Sequence, residues 1–233
     1  MPWTRGLILL GATGIAALVI ACGDDAENSA TDTPAPSTAP PTAEVTVEAT
    51  ATRNCPEPTE EAPEATVKTY DSAPEGIIDP EKSYTAVIQT ERGDFTMTLR
   101  PDLALKHVNS FVFLARDGYY DGVTFHRVIP GFVAQAGDPT GTGSGSPGYT
   151  IQAEFTDDVS FTTGVVGAAR GPSNDSAGSQ WFVTLADASH LNGQYTIFAE
   201  VTQGMDVVQC LTARDSATAP PGDKIISIEI IES

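Results

Sequence analysis

Residues 82–233 predict a mainly β domain, an antiparallel barrel or sandwich carrying two helices. Two observations carry that reading. Short runs rich in Val, Ile, Thr and Phe recur between loops punctuated by Gly and Pro. Only two stretches space their apolar residues on one helical face. The pattern by itself does not choose between barrel and sandwich.

The first element, YTAVIQTERGDFTMTL from Tyr84 to Leu99, reads as a β-hairpin about a polar ERGD turn that contains Gly93. Asp102 is placed to cap a helix in which Val108, Phe111, Val112 and Ala115 share a face, and Gly118 ends it. Short strands are then expected at 124–128, 132–136, 149–151, 164–169, 180–184 and 195–201. A second short helix fits 204–212, where Met205, Val208 and Leu211 fall on one side. The last strand is KIISIEII, 224–231, whose alternation is partial.

The chain ahead of this domain has a different composition. Residues 6–21, GLILLGATGIAALVIA, form an uncharged apolar run that follows Arg5 and leads into Cys22. A basic start, an apolar centre and a small-residue end are the parts of an export signal. The run is short for a membrane-spanning helix. Its end, VIAC (Val19 to Cys22), resembles the lipobox of bacterial lipoproteins, which implies removal of residues 1–21, a lipid on Cys22 and a place in the cell envelope, outside the cytoplasm. An ordinary cleaved signal and an uncleaved anchor are the alternatives. Residues 22–81 are rich in Ala, Thr, Pro, Ser and acid, with only Arg53 and Lys68 opposing. Such a stretch buries too little to offset the entropy of ordering, so a disordered tether is expected, with a reach of roughly 40–45 Å.

Charge and cysteines limit what the chain does. A net charge of −19 argues against nucleic acid. The domain from Lys82 onward, with 9 basic and 17 acidic residues, is also too acidic to adhere to anionic lipid by itself. Cys22 is assigned to lipid; Cys55 and Cys210, if exported, either pair or remain two free thiols. No ligand spacing suggests a metal. There is no G-x-S-x-G, and the loop GTGSGSPG, 141–148, lacks the G-K-[ST] ending of a phosphate loop, so it reads as a flexible connection.

One stretch resists a purely structural reading. In TFHRVIPGFVAQAGDP, Thr124 to Pro139, Arg127 and Gln135 sit among residues that want burial. Strand alternation puts Phe125 with Arg127 on one face and His126 with Val128 on the other, while Val133 and Gln135 share a face across the Pro130–Gly131 turn. The residues alone leave two options open: an ordinary salt bridge and a backbone contact, or a site.

Phe125 to Pro139 resembles the signature of the cyclophilins, the peptidyl-prolyl cis–trans isomerases, and GSQWFVTLADASHLNGQYTIFAEV, 178–201, resembles their second hallmark. The two occur in family order, and the resemblance covers about 82–231. It implies a closed eight-stranded antiparallel barrel with two helices, a monomer, proline-containing polypeptides as substrates, and neither cofactor nor metal. It also implies roles for residues. Arg127 matches the catalytic arginine, and Gln135 the glutamine that holds the substrate backbone and steadies that arginine. Phe132, Val133, Phe182 and Leu191 match the proline pocket; Ala169, Gln180 and Tyr195 match the peptide groove. His126 matches the histidine beside the arginine, although a structural histidine is the plainer reading. The sequence departs from many members at Tyr195, His190, Val133 and Arg170, and its loop 168–180 is about one residue longer than the eukaryotic form.

Overall fold

The computed structural model describes residues 55–216 and 218–233. The apolar run 6–21, Cys22 and the tether up to residue 54 lie outside the described residues. Eight strands form one antiparallel sheet: β1 (Tyr84–Thr90), β2 (Gly93–Leu99), β3 (Arg127–Ile129), β4 (Val133–Ala136), β5 (Val165–Ala168), β6 (Trp181–Thr184), β7 (Ile197–Gln203) and β8 (Ile225–Glu232). Their order across the sheet is β3-β4-β6-β5-β7-β2-β1-β8. Two helices accompany them, α1 (Leu105–Arg116) and α2 (Met205–Gln209).

The sheet curls until its outer strands meet. Closure differs from the continuous ladder that a closed barrel implies, because β3 and β8 share no ladder: Thr124, just ahead of β3, bridges Lys224, just ahead of β8, and Val128 of β3 bridges Arg214 in the loop after α2. The supporting bonds are Phe125 N–H to Asp223 O at 2.9 Å and Ile225 N–H to Val123 O at 2.9 Å. Inside lie Phe95, Phe125, Val128, Ala134, Trp181 and Ile225 in one cluster. The expected hairpin at 84–99 is present with Tyr84 opposite Leu99. Expected strand 149–151 is reduced to a single bridge between Ile151 and Ala177. β3 begins at Arg127, so the alternation read back to Phe125 fails: Phe125 is buried in the interior with Val128.

The first helix starts differently from the sequence reading. Asp102 caps nothing, because it closes on Arg100 at 2.7–3.2 Å. Ala104 stands at the cap without a side-chain bond. The free N–H groups of Lys106 and His107 donate instead to the carboxylate of Glu154, at 3.0 and 3.1 Å. An anion at the helix start satisfies orphan donors and opposes the dipole. The same carboxylate holds His107 Nδ1 at 2.6 Å. Burial pushes Glu154 upward, but the His107 bond and the two backbone N–H groups outweigh it and hold it below the ordinary range. The inner face of α1 sends Phe111 against the rings of Tyr120, Trp181 and Phe198, at 5.3–6.1 Å.

Residues 55–81, assigned by composition to the tether, run along the domain as a strap. Thr59 N–H donates to Glu91 O at 2.9 Å, and Arg92 Nη1 donates to Pro56 O at 2.8 Å. Asn109 of α1 grips Ile77 N–H at 2.8 Å and Pro74 O at 2.7 Å. Tyr70 stacks edge-on against Phe113 at 5.0 Å and donates to Asp117 at 2.7 Å. Ala62 and Ile78 are buried. Composition misleads here because scattered backbone bonds and a few small apolar contacts do not make a periodic pattern.

A Cys55–Cys210 disulfide fastens the start of the strap to the end of α2, with Cα atoms 5.3 Å apart. This decides between the pair and two free thiols. The bond spans 155 residues, so the entropy it removes from the unfolded chain is large, about 5 kcal/mol in the chain-entropy picture. Cys210→Ser is expected to lower the unfolding free energy by roughly 2–5 kcal/mol. Urea unfolding of both proteins without reductant measures this; coincident curves would contradict it.

Candidate active site

The β3–β4 hairpin turns at Pro130–Gly131 and pairs Arg127 with Gln135 and Ile129 with Val133. Val128 and Ala134 face the interior, so Arg127, Val133 and Gln135 face outward. The outer wall is apolar there as well. Val133, Phe161, Val165, Phe182, Ala188 and Ile197 form a second buried cluster, with Phe132, Ala169, Leu191 and Tyr195 packed on it. Phe182 and Phe161 stack at 5.6 Å over β5, where a Cβ on Gly167 would lie 2.5 Å from Phe182. The glycine permits the two rings to approach the strand.

A hollow of about 110 Å³ opens on this cluster. Phe132, Val133, Phe182 and Leu191 make its apolar part, and Arg127, Gln135, Ala169, Arg170 and Tyr195 its rim. The structure thus brings together eight of the ten sequence-assigned protein-site residues. A second hollow of about 280 Å³ adjoins it through Gln135, Ala169 and Arg170, and includes Gln180. His126 lines neither hollow; its ring lies beside Gly143, and burial holds it below the usual histidine range.

Arg127 is held from outside. Its Nε donates to Asp215 Oδ1 at 2.9 Å, and its Cζ lies 5.9 Å from the Phe132 ring centre. Phe132 in turn stacks on His190 at 5.7 Å. With Nε engaged, Nη1 and Nη2 stay free among the described residues. Gln135 was expected to steady the arginine; its Nε2 instead donates to Gln180 Oε1 at 3.0 Å. Gln180 Nε2 then donates to Gly143 O and Gly145 O, both at 3.0 Å. The relay leaves Gln135 Oε1 as a free acceptor among the described residues. Asp215 is the site residue that sequence reasoning missed, whereas Arg170 stands out there only as a departure from the family pattern with no role assigned. Asp215 is 88 residues from Arg127 in an unpatterned loop, so nothing local marks it.

The glycine-rich loop is organised rather than a loose connection. Asp138 is fully buried and accepts from Thr140 N–H, Thr140 Oγ1 and Gly143 N–H, at 2.6–2.7 Å. The N–H groups that could have cradled a phosphate are therefore turned on the chain's own carboxylate. A Cβ on Gly145 would fall 1.9 Å from Asp138 Oδ1, which requires glycine there. Burial pushes Asp138 upward, but the Thr140 hydroxyl and the backbone donors more than offset it, so its carboxyl is held below the ordinary value. This loop supplies the carbonyls that fix Gln180.

The family profile of the cyclophilin type peptidyl-prolyl cis-trans isomerase/CLD matches residues 85–230. This chain belongs to the cyclophilin family. Cyclophilins similar to it include a probable peptidyl-prolyl cis-trans isomerase of Brucella suis, 42% identical over 168 residues, covering 65% of this chain and 84% of that one. One from Helicobacter pylori is 36% identical, covering 72% and 93%. A Cryptosporidium parvum cyclophilin of known crystal structure superposes with a TM-score of 0.60 at 28% identity, covering 65% and 99%. That protein has also been crystallised in the presence of the dipeptide Ala-Pro. The activity of this cyclophilin is peptidyl-prolyl cis–trans isomerisation. Among its described residues no helix is long and apolar enough to cross a membrane, and no group of three or more His, Cys, Asp or Glu could hold a metal ion.

A lowered carboxyl contributes stability that is present above its unfolded value and lost as pH falls through the folded one. Unfolding free energy should therefore decline below about pH 4. Asp138→Asn should remove part of that slope and lower stability at pH 7. Denaturant titrations of both proteins from pH 7 to 3 test this; identical slopes would show that Asp138 does not carry it.

Proposed function

We propose that this cyclophilin rotates X-Pro bonds in exported or cell-surface proteins, that Arg127 stabilises the twisted amide, and that a lipid on Cys22 holds the enzyme to a membrane. The observation that carries the chemistry is the free end of the Arg127 guanidinium at the rim of an apolar hollow. An X-Pro bond resists rotation because its C–N bond is conjugated, with a barrier of about 20 kcal/mol. At the twisted geometry the prolyl nitrogen becomes pyramidal and recovers its lone pair. An N–H aimed at that lone pair binds the transition state more strongly than either planar form.

In this reading the proline ring enters between Phe132, Val133, Phe182 and Leu191. Ring burial there is a hydrophobic contact that fixes the prolyl side while the other side turns. Asp215 takes Nε and so orients the fork, leaving Nη1 and Nη2 for the substrate. Gln135 Oε1 accepts a substrate backbone N–H, and Gln180 fixes the amide that presents it. Ala169 and Tyr195 border the peptide path, and His126, beside the glycine-rich loop, is structural. No proton is transferred and no covalent intermediate is formed, so the work consists of positioning and electrostatics.

Location rests on separate support. The apolar run 6–21 ending in VIAC resembles a lipoprotein signal, and the Cys55–Cys210 disulfide favours an oxidising compartment. More than one acyl chain would give stable attachment.

Arg127→Ala is expected to lower kcat/KM by at least about 100-fold, equivalent to about 2.7 kcal/mol of transition-state stabilisation, while proline-peptide binding weakens far less. Lysine should rescue poorly because it lacks the planar fork. A protease-coupled or NMR exchange assay with an X-Pro peptide reads both; a folded Arg127→Ala protein of near-normal activity would refute this role.

For the anchor, Cys22→Ala should leave the chain unprocessed or move it out of the lipid-bearing fraction. Mass spectrometry of the wild-type N-terminus checks this directly: a mature chain beginning elsewhere than Cys22 would refute it.

A further inference from the structure

We propose that Arg170 makes this isomerase select substrates with an acidic side chain close to the proline, read in the second hollow. The inference rests on the proline occupying the first hollow. Arg170 belongs to the walls of both hollows, so it stands where a peptide passes from one to the other. Successive Cα atoms are about 3.8 Å apart, so a residue within one or two positions of the proline reaches it.

The guanidinium is held in place with donors to spare. Its Nε donates to Gln194 O at 2.9 Å and its Nη1 to Gly171 O at 3.0 Å. Its Cζ lies 4.9 Å from the Tyr195 ring centre. Nη2 has no acceptor among the described residues, and no described ion pair includes Arg170. The contrast with Arg127, whose Nε meets Asp215 at 2.9 Å, is direct. Neutral carbonyls and a ring face anchor Arg170 without cancelling its charge. A pre-set guanidinium also loses little freedom when it binds a carboxylate.

The rest of the second hollow supports the same selection. Its wall is otherwise uncharged, with Gly143, Ser144, Ser146, Thr150 and Ser176 alongside Arg170. Hydroxyl and amide groups accommodate a carboxylate's remaining lone pairs. Asp175, near in sequence, is turned away and accepts from Ala153 N–H at 2.9 Å. The net charge of −19 repels acidic peptides at a distance, but salt limits that to a Debye length of about 8 Å, within which the contact with Arg170 decides.

The test compares Ala-X-Pro-Phe and X-Ala-Pro-Phe peptides, with X as Glu, Gln or Lys, by NMR exchange on the full chain. The ratio of kcat/KM for Glu over Lys is read, because loss of a wall residue changes turnover of every peptide. In the wild type it should reach about tenfold at one of the two positions, the scale of a charged hydrogen bond. In Arg170→Gln it should fall below about twofold, and in Arg170→Lys it should be partly kept. No preference in the wild type, or the same preference in Arg170→Gln, would overturn the proposal. Absence of exchange with every peptide, Gln included, would overturn the proline-site reading and this proposal with it.

Discussion

The site depends on the register between β3 and β4. Arg127 faces Gln135 across the pair, and Val133 lies two residues from Gln135 on the same outward side. Because strand side chains alternate, a slip of one residue would turn both polar groups into the interior and Val128 and Ala134 outward. Neither side would accept the exchange: the interior has no partner for a guanidinium, and the hollow would lose its floor. The tight turn at Pro130–Gly131 and the burial of Val128 therefore hold the cation and the amide in place before any peptide arrives.

Much of this was legible because the barrel is built from local signals. The hairpin at Tyr84–Leu99, the apolar face of α1 and the motif from Phe125 to Pro139 each declare themselves within about a dozen residues. Most of the hollow also follows, since all its residues but Ala169 and Arg170 belong to two contiguous motifs. What escaped was non-local or unpatterned. Glu154 caps α1 from 48 residues away, displacing the local candidate Asp102, which has Arg100 as a nearer partner. Asp215 reaches Arg127 from an irregular loop. The strap from residue 55 to 81 has a composition that reads as solvated chain, yet it is held by backbone bonds that leave no hydrophobic period. Phe125 shows the opposite failure, where a real alternation was extended past the end of a strand.

Carboxylates are used here in place of longer secondary structure. Asp138 gathers the glycine-rich loop, Glu154 starts a helix, Asp117 receives Tyr70 and Lys68, and Asp223 meets Arg92 at 2.8 Å. Asp138 gathers donors from its own loop, while Glu154, Asp117 and Asp223 collect theirs from segments distant in sequence, which explains how stretches with little apolar content keep a defined shape. The two arginines at the hollow differ in the same respect: one is neutralised by an acid, the other only anchored by carbonyls.

The disulfide at the start of the strap has a mechanical consequence. A pull on the chain from the N-terminal side of residue 55 reaches the cross-link before it reaches any of the strap's hydrogen bonds. The load passes into α2 through a covalent bond, and the strap is neither unzipped from its end nor lifted from α1. Tension applied upstream is therefore borne by the packing of α2 against β2 and not by the strap's own hydrogen bonds.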